Sequence, residues 1–140
     1  MIILDTNVLS ETFKPIPSPN VLGWLAAHEQ SGVFLTSITL AEMFEGLELM
    51  PHGKRRTYLA ETIEETLTAD YTGRILPFDD PAARLFAKIV AERKALGLPV
   101  SEFDAMIAAI ARAHRFTVAT RNVADFEHCG IRVVNPWRSK

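Results

Sequence analysis

MIILDTNVLS, residues 1–10, runs three aliphatic side chains, Ile2, Ile3 and Leu4, straight into Asp5, Thr6 and Asn7, and hydrophobic spacing resumes at Val8 and Leu9. An apolar run without polar alternation is the mark of a strand covered on both faces. Four more runs have this character: VFLTS (33–37), RILPF (74–78), FTVAT (116–120) and IRVV (131–134). Helical patterns lie between them. Ser18-Pro19 opens one through Val21, Leu22, Trp24 and Leu25, with serine as cap and proline in the first turn. Thr39 begins TLAEMFEGLELM, and Leu59, Ile63 and Leu67 recur every four residues after it. Asp80-Pro81 opens a helix that ends near Gly97, and Ser101 opens SEFDAMIAAIARAHRF. Strands alternating with helices imply right-handed crossovers. The expected fold class is therefore α/β: a doubly wound, five-stranded parallel sheet flanked by helices, one domain over residues 1–140.

The chain is 48% hydrophobic and 23% charged, which supports a folded core and argues against disorder. No apolar run approaches the ~18 residues of a membrane span. The basic start and long apolar stretch of a signal peptide are missing. The single cysteine, Cys129, excludes an internal disulfide and a multi-thiolate zinc site. Together these features point to the cytoplasm. The net charge of −2 does not announce nucleic acid, yet a carboxylate site acting on phosphate through a cation would itself pull the balance negative. Basic residues are grouped at Lys54, Arg55 and Arg56, at Arg112, His114 and Arg115, and at Arg121. They are candidate phosphate contacts, set against the ordinary role of such runs as solvated surface.

In open parallel sheets, ligands sit outside the carboxyl ends of the strands. Four acids are expected there: Asp5 after the first strand, Glu42 in the first turn of the helix entered from VFLTS, Asp104 in the first turn of the helix after Pro99, and Asp125 after FTVAT. Each has a local explanation. Asp5 can cap a helix beginning at Thr6 or Asn7, Thr39 to Glu42 spells a capping box, Ser101 to Asp104 nearly does, and Asn122 with Asp125 can make a turn. Capping does not explain why Glu42 lies in LAEMF and Asp104 in FDAMIAAIA, among residues that belong in a core. If the four converge, each pair at ~5 Å repels by about 3 kcal/mol at an effective dielectric near 20. Helix dipoles recover only about 0.3–1 kcal/mol per acid. Either the carboxylates point apart or a cation joins them, and an all-oxygen donor set selects Mg²⁺ or Mn²⁺ over zinc.

LDTNVLS, TLAEMFEG, FDAMIAAIARAH and ATRNVADFE, in this order, resemble the motifs of PIN-domain ribonucleases, and most of all the VapC-type toxins of bacterial toxin–antitoxin pairs, FitB-like branch included. The likeness runs the length of the chain to VVNPW. It implies a PIN-like fold, an RNA substrate, a VapB-like protein antitoxin, a homodimer, and Mg²⁺ or Mn²⁺ held by Asp5, Glu42, Asp104 and Asp125. Some relatives carry an acid where this chain has Asn122, so Asn122 or Asp125 completes the fourth corner. In the partner complexes of such relatives an antitoxin segment fills the cleft, and its apolar lining is expected around Leu40–Met50 and Leu59–Leu67.

The chemistry expected is metal-assisted phosphodiester hydrolysis with water as nucleophile. Thr6, Asn7 and Thr120 are candidates to fix carboxylate rotamers, and Arg112 and Arg121 to contact RNA. His28, His52, His114 and His128 are scattered over apparently exposed positions, which disfavours a histidine-based, metal-free cleavage. Trp24 and Phe44 are expected in the core or an interface, and Trp137 as an anchor for the tail. Two rival folds with an acidic sheet edge fit less well. Haloacid-dehalogenase-like phosphatases need an acid where Asn7 stands, and receiver domains want a lysine where Asn135-Pro136-Trp137 lies. A PIN-like domain without turnover, acting only as a protein-binding module, is the alternative from another class.

Overall fold

The apolar runs become the central sheet. In the computed structural model, which describes residues 1–138, β1 (Ile2–Leu4), β2 (Val33–Thr36), β3 (Ile75–Leu76), β4 (Thr117–Ala119) and β5 (Val133–Val134) are all parallel, in the order β3-β2-β1-β4-β5. The helices are α1 (Thr6–Glu11), α2 (Pro19–Ala26), α3 (Ser37–Leu49), α4 (Lys54–Asp70), α5 (Asp80–Ala95), α6 (Glu102–His114) and α7 (Val123–Phe126). Among the described residues none of them is long and apolar enough to cross a membrane.

Alternation along the short strands divides the interior into two cores. Leu4 and Ala119 face one side with Val8, Leu9, Trp24, Leu35, Met43, Leu47 and Ile63. Ile3 and Val118 face the other with Ile89, Ile107, Ile110 and Phe126. Both faces of the centre are thus dry, which is why these strands read as unbroken apolar runs. The chain moves outward from β1 through β2 to β3 on one side, then through β4 to β5 on the other. The reversal leaves a crevice beyond the carboxyl ends of β1 and β4, the usual place for a ligand. Register puts Leu4 beside Ala119, and the Asp5 amide donates to the Ala119 carbonyl at 2.9 Å. Asp5 and Thr120 are therefore the first side chains past the ladder.

The start of α3 departs from expectation. Its cap is Thr36, whose hydroxyl accepts from the Thr39 amide at 3.1 Å, so Thr39 stands inside the first turn and there is no Thr39–Glu42 capping box. Glu42 consequently lies in the second turn, beyond reach of the unpaired amides at the helix end. At the end of α5, Gly97 (φ +72°) sits in the left-handed region, the Leu98 amide donates to Arg93 O at 2.9 Å and the Gly97 amide to Lys94 O at 3.0 Å. That pair of bonds is a Schellman turn. It reverses the chain in a few residues and delivers it to Ser101, whose hydroxyl caps α6 through the Asp104 amide at 3.2 Å.

Because Thr36 and not Thr39 holds the cap, Thr36→Val should cost about 1 kcal/mol or more of stability in urea denaturation, and Thr39→Val less. Equal losses, or the reverse order, would contradict this assignment.

Candidate active site

Asp5 is the deepest of the four acids, 4% exposed. As the residue that leaves β1 and caps α1, its Oδ1 accepts from the Thr6 amide at 2.8 Å. Its Oδ2 accepts from the Thr120 hydroxyl at 2.8 Å and from Asn7 Nδ2 at 3.2 Å. Asn7 also ties the turn after β4, its Oδ1 accepting from the Arg121 amide at 3.3 Å, while Thr120 Oγ1 accepts from the Asn122 amide at 3.0 Å. These bonds favour the ionised carboxylate, yet burial outweighs them and raises its pKa above the ordinary 3.8, with the charges of Asp104 and Asp125 pushing the same way.

Glu42 reaches in from α3 half-buried, its Oε1 accepting from the Thr6 hydroxyl at 2.7 Å. Burial raises its pKa in spite of that bond, and Asp5 and Asp104 add to the rise. Asp104, in the first turn of α6, is raised first by burial and then by Asp125, against a lowering hydrogen bond from Ser101 and the nearby charge of Arg93. Asp125 is exposed on α7, and its field is felt at both Asp5 and Asp104. The four acids therefore share one electrostatic neighbourhood. They do not meet at one point: among the described residues no three of the His, Cys, Asp and Glu side chains form a finished metal cage. Nor does any of the four join an ion pair among those residues. The oxygen-only donor set, with three carboxyls pushed up and none neutralised by a basic side chain, suits a hard divalent cation.

The remaining expected residues divide. Thr6, Asn7 and Thr120 lie in the network around Asp5 and Glu42. Asn122 precedes α7 and makes no side-chain cap bond, its amide alone reaching Thr120. Arg121 lies at the same edge, its guanidinium 5.1 Å from the centre of the Trp137 ring, and Trp137 O accepts from Asn20 at 2.8 Å. Arg112 is not brought to the acids. It lies in the last turn of α6, about 12 Å along the helix from Asp104, 3.6 Å from Glu92. His28 corrects the expectation of four surface histidines, for it is half-buried against Trp24, with Nδ1 2.6 Å from Trp24 O. No histidine joins the hydrogen bonds around Asp5. Beside Thr6 and Glu42 opens a groove of about 500 Å³, lined by Phe13, Met43, Leu47, Met50, Leu59 and Ile63. The sequence reading passed over Arg93, which is 4% exposed. In AERKALG it looks like any surface arginine of an amphipathic helix, and only the nearby Gly97 turn signal hints at folded-back chain.

The family model for the PIN domain matches residues 2–130. The VapC ribonuclease Y4jK of Sinorhizobium fredii is 44% identical over 137 residues, 98% of each chain. The toxin FitB of Neisseria gonorrhoeae is 41% identical over 137 residues, 98% of this chain and 99% of its own. A solved structure of FitAB bound to a DNA fragment superposes with a TM-score of 0.94 at 41% identity, covering 100% of this chain and 98% of that one. With the family model spanning nearly all of it and relatives of 41% and 44% identity over 98% of its length, the chain belongs to the PIN-domain family, alongside VapC- and FitB-type proteins.

Proposed function

We propose that this protein is the ribonuclease toxin of a toxin–antitoxin pair, with Asp5, Glu42, Asp104 and Asp125 as its catalytic carboxylates and RNA as its substrate. The observation that carries the reading is Asp5: a buried acid at the sheet's switch point, gripped by three donors, in the field of two further carboxylates. The ribonuclease and toxin relatives support the activity. The four acids would hold Mg²⁺ or Mn²⁺, which when bound supplies positive charge at the phosphoryl oxygens and acidifies water. The chain's own residues do the rest. Thr120, Asn7 and the Thr6 amide lock both oxygens of Asp5, so this ligand has no rotameric freedom to lose. Thr6 fixes one oxygen of Glu42 and leaves Oε2 to orient the attacking water. Asp125, whose charge acts on Asp5 and Asp104, completes the set in preference to Asn122. Arg121, braced on Trp137, offers a cation to a neighbouring phosphate.

Residues 1–140 act in this reading as one domain in the cytoplasm, as a homodimer. The groove beside Glu42 receives an apolar segment of the antitoxin, as the FitAB and VapBC assemblies among the structural neighbours suggest. Its walls come from α1 and the residues after it, α3 and α4, and Glu42 stands at its edge, so one bound segment can both bury apolar surface and present a guanidinium to that carboxylate.

Purified protein should cleave RNA in Mg²⁺ or Mn²⁺, leave 5′-phosphate ends and stop in excess chelator, and Asp5→Asn or Asp104→Asn should lower the rate by roughly a hundredfold or more. Cleavage equal to wild type in either variant would overturn the site. A wild type as inactive as the variants would favour the binding module.

The raised carboxyl pKa values predict a second result. Asp5, Glu42 and Asp104 hold protons more tightly folded than unfolded, so their contribution to stability is whole below the ordinary 3.8 and 4.5 and is lost as pH rises through the raised values. In chelator, Asp5→Asn should gain melting temperature relative to wild type as pH rises above the ordinary 3.8, and a pH-independent difference would refute the assignment.

A β-carbon on Gly46 meets nothing within 4 Å, and Gly46 lines the groove. Gly46→Trp should leave RNA cleavage near wild type while weakening antitoxin binding, followed by calorimetry, by roughly tenfold or more. Unchanged affinity would place the antitoxin elsewhere.

A further inference from the structure

The most deeply buried cation near the acids makes none of the expected contacts with them. Arg93, in the last turn of α5, is 4% exposed and forms no salt bridge among the described residues. Its guanidinium is spent on main-chain carbonyls. Nε donates to Leu98 O at 2.7 Å, and Nη1 donates to Ala124 O at 3.1 Å and Glu127 O at 2.5 Å. The Arg93 carbonyl in turn accepts the Leu98 amide of the Schellman turn, so residue 98 is held from both of its peptide groups.

These three carbonyls belong to the two segments that carry acids. Leu98 lies in the five-residue link from Gly97 to Ser101, which enters α6 and so sets where Asp104 stands. Ala124 and Glu127 bracket Asp125 on α7 and just after it. Asp104 and Asp125 repel one another, and Arg93 is the positive charge that offsets part of this at Asp104. A planar guanidinium with five donors in a fixed fork can span two chain segments at once, and a lysine ammonium reaches such a set less well. Packed hydrocarbon could fill the same volume but would leave buried carbonyls unpaired.

We propose that Arg93 is a positioning residue for the divalent-cation site: its three carbonyl bonds fix the spacing of Asp104 and Asp125 before the cation binds. This inference rests on the reading of the four acids as ligands. It differs from a general role in stability because the bonds run to the acid-bearing segments in particular, while the rest of α5 is held by Ala82 and Ile89 in the apolar core.

Mn²⁺ binding, counted by the loss of free-ion electron paramagnetic resonance signal, tests this without reference to turnover. Arg93→Met should bind Mn²⁺ roughly ten- to a hundredfold more weakly than wild type, as expected when outer partners of a metal site are lost. Arg93→Lys should recover part of the affinity. Ile89→Val, a small cavity one turn earlier on the same buried face of α5 that leaves all three carbonyl bonds in place, should bind Mn²⁺ as wild type does while also losing stability. Should Arg93→Met fail to fold by circular dichroism, Arg93→Lys carries the test, with an affinity below wild type expected. Wild-type Mn²⁺ affinity in a folded Arg93→Met or Arg93→Lys overturns the proposal, as does equal weakening in Ile89→Val. Absence of Mn²⁺ binding by wild-type protein would instead overturn the reading of the acids.

Discussion

The site depends on one constraint: a buried carboxylate, Asp5, must be kept at the place where the sheet changes direction. β1 is central, paired on both sides, and its ladder with β4 ends in the bond from the Asp5 amide to Ala119 O. The next side chains out, from Asp5 and Thr120, are forced together by register and bond at 2.8 Å. A hydrogen bond to a charged group contributes about 1.5–3 kcal/mol. Asp5 collects three such bonds, and its pKa is still raised, so desolvation and the neighbouring acids together exceed what those donors return. The carboxylate is held in place more firmly than it is held ionised. That combination suits a ligand whose remaining stabilisation comes from outside the chain.

Around this centre the two halves of the fold supply different acids. The half built on α1 and α3 brings Thr6 and Glu42 together, with the Thr36 and Thr39 hydroxyls continuing inward from them at 3.4 Å. The half built on α5, α6 and α7 brings Asp104 and Asp125. The two hydrophobic cores lie on opposite faces of the sheet, so Asp5 stands on the seam between them. Each half also steadies its acid differently. Asp104 has the N-terminus of α6 and the Ser101 cap beneath it. Glu42, a turn too deep in α3 for such help, has the Thr6 hydroxyl instead.

The sequence was most readable where burial is symmetrical. All five strands lie within apolar runs because both sheet faces are covered, and Ser18-Pro19 and Asp80-Pro81 mark helix starts whose chemistry is local. The α3 cap was harder, because VFLTSITLAE passes from strand to helix with no loop. Thr36 and Thr39 both precede a suitable partner by three residues, and only the sheet decides which threonine ends the strand. Asp5 and Asp104 could be placed from strand ends and helix starts alone. The grip on Asp5 by Asn7 and Thr120 was legible as a polar trio but not as geometry, since Thr120 lies 115 residues from Asp5. Charge grouping along a chain ignores helix length: Arg112 stands at the far end of α6 from Asp104.

Exposure grades the four acids, from Asp5 at 4% through half-buried Glu42 and Asp104 to exposed Asp125. This order has a consequence for how charge enters the site. Burial opposes ionisation at Asp5, Glu42 and Asp104, and the charge of Asp125 adds to the rise at Asp104 and Asp5. In the proposed reading a divalent cation entering from solvent would pass the exposed acid before the buried one. It would meet Asp125 where water still competes, and would gain most at Asp5, where the carboxylate is pre-aligned and buried. The field that makes the four acids unfavourable neighbours would then be the field that draws a cation to the switch point. Neutralising only the outermost acid would flatten that gradient without disturbing the hydrogen bonds that define its floor.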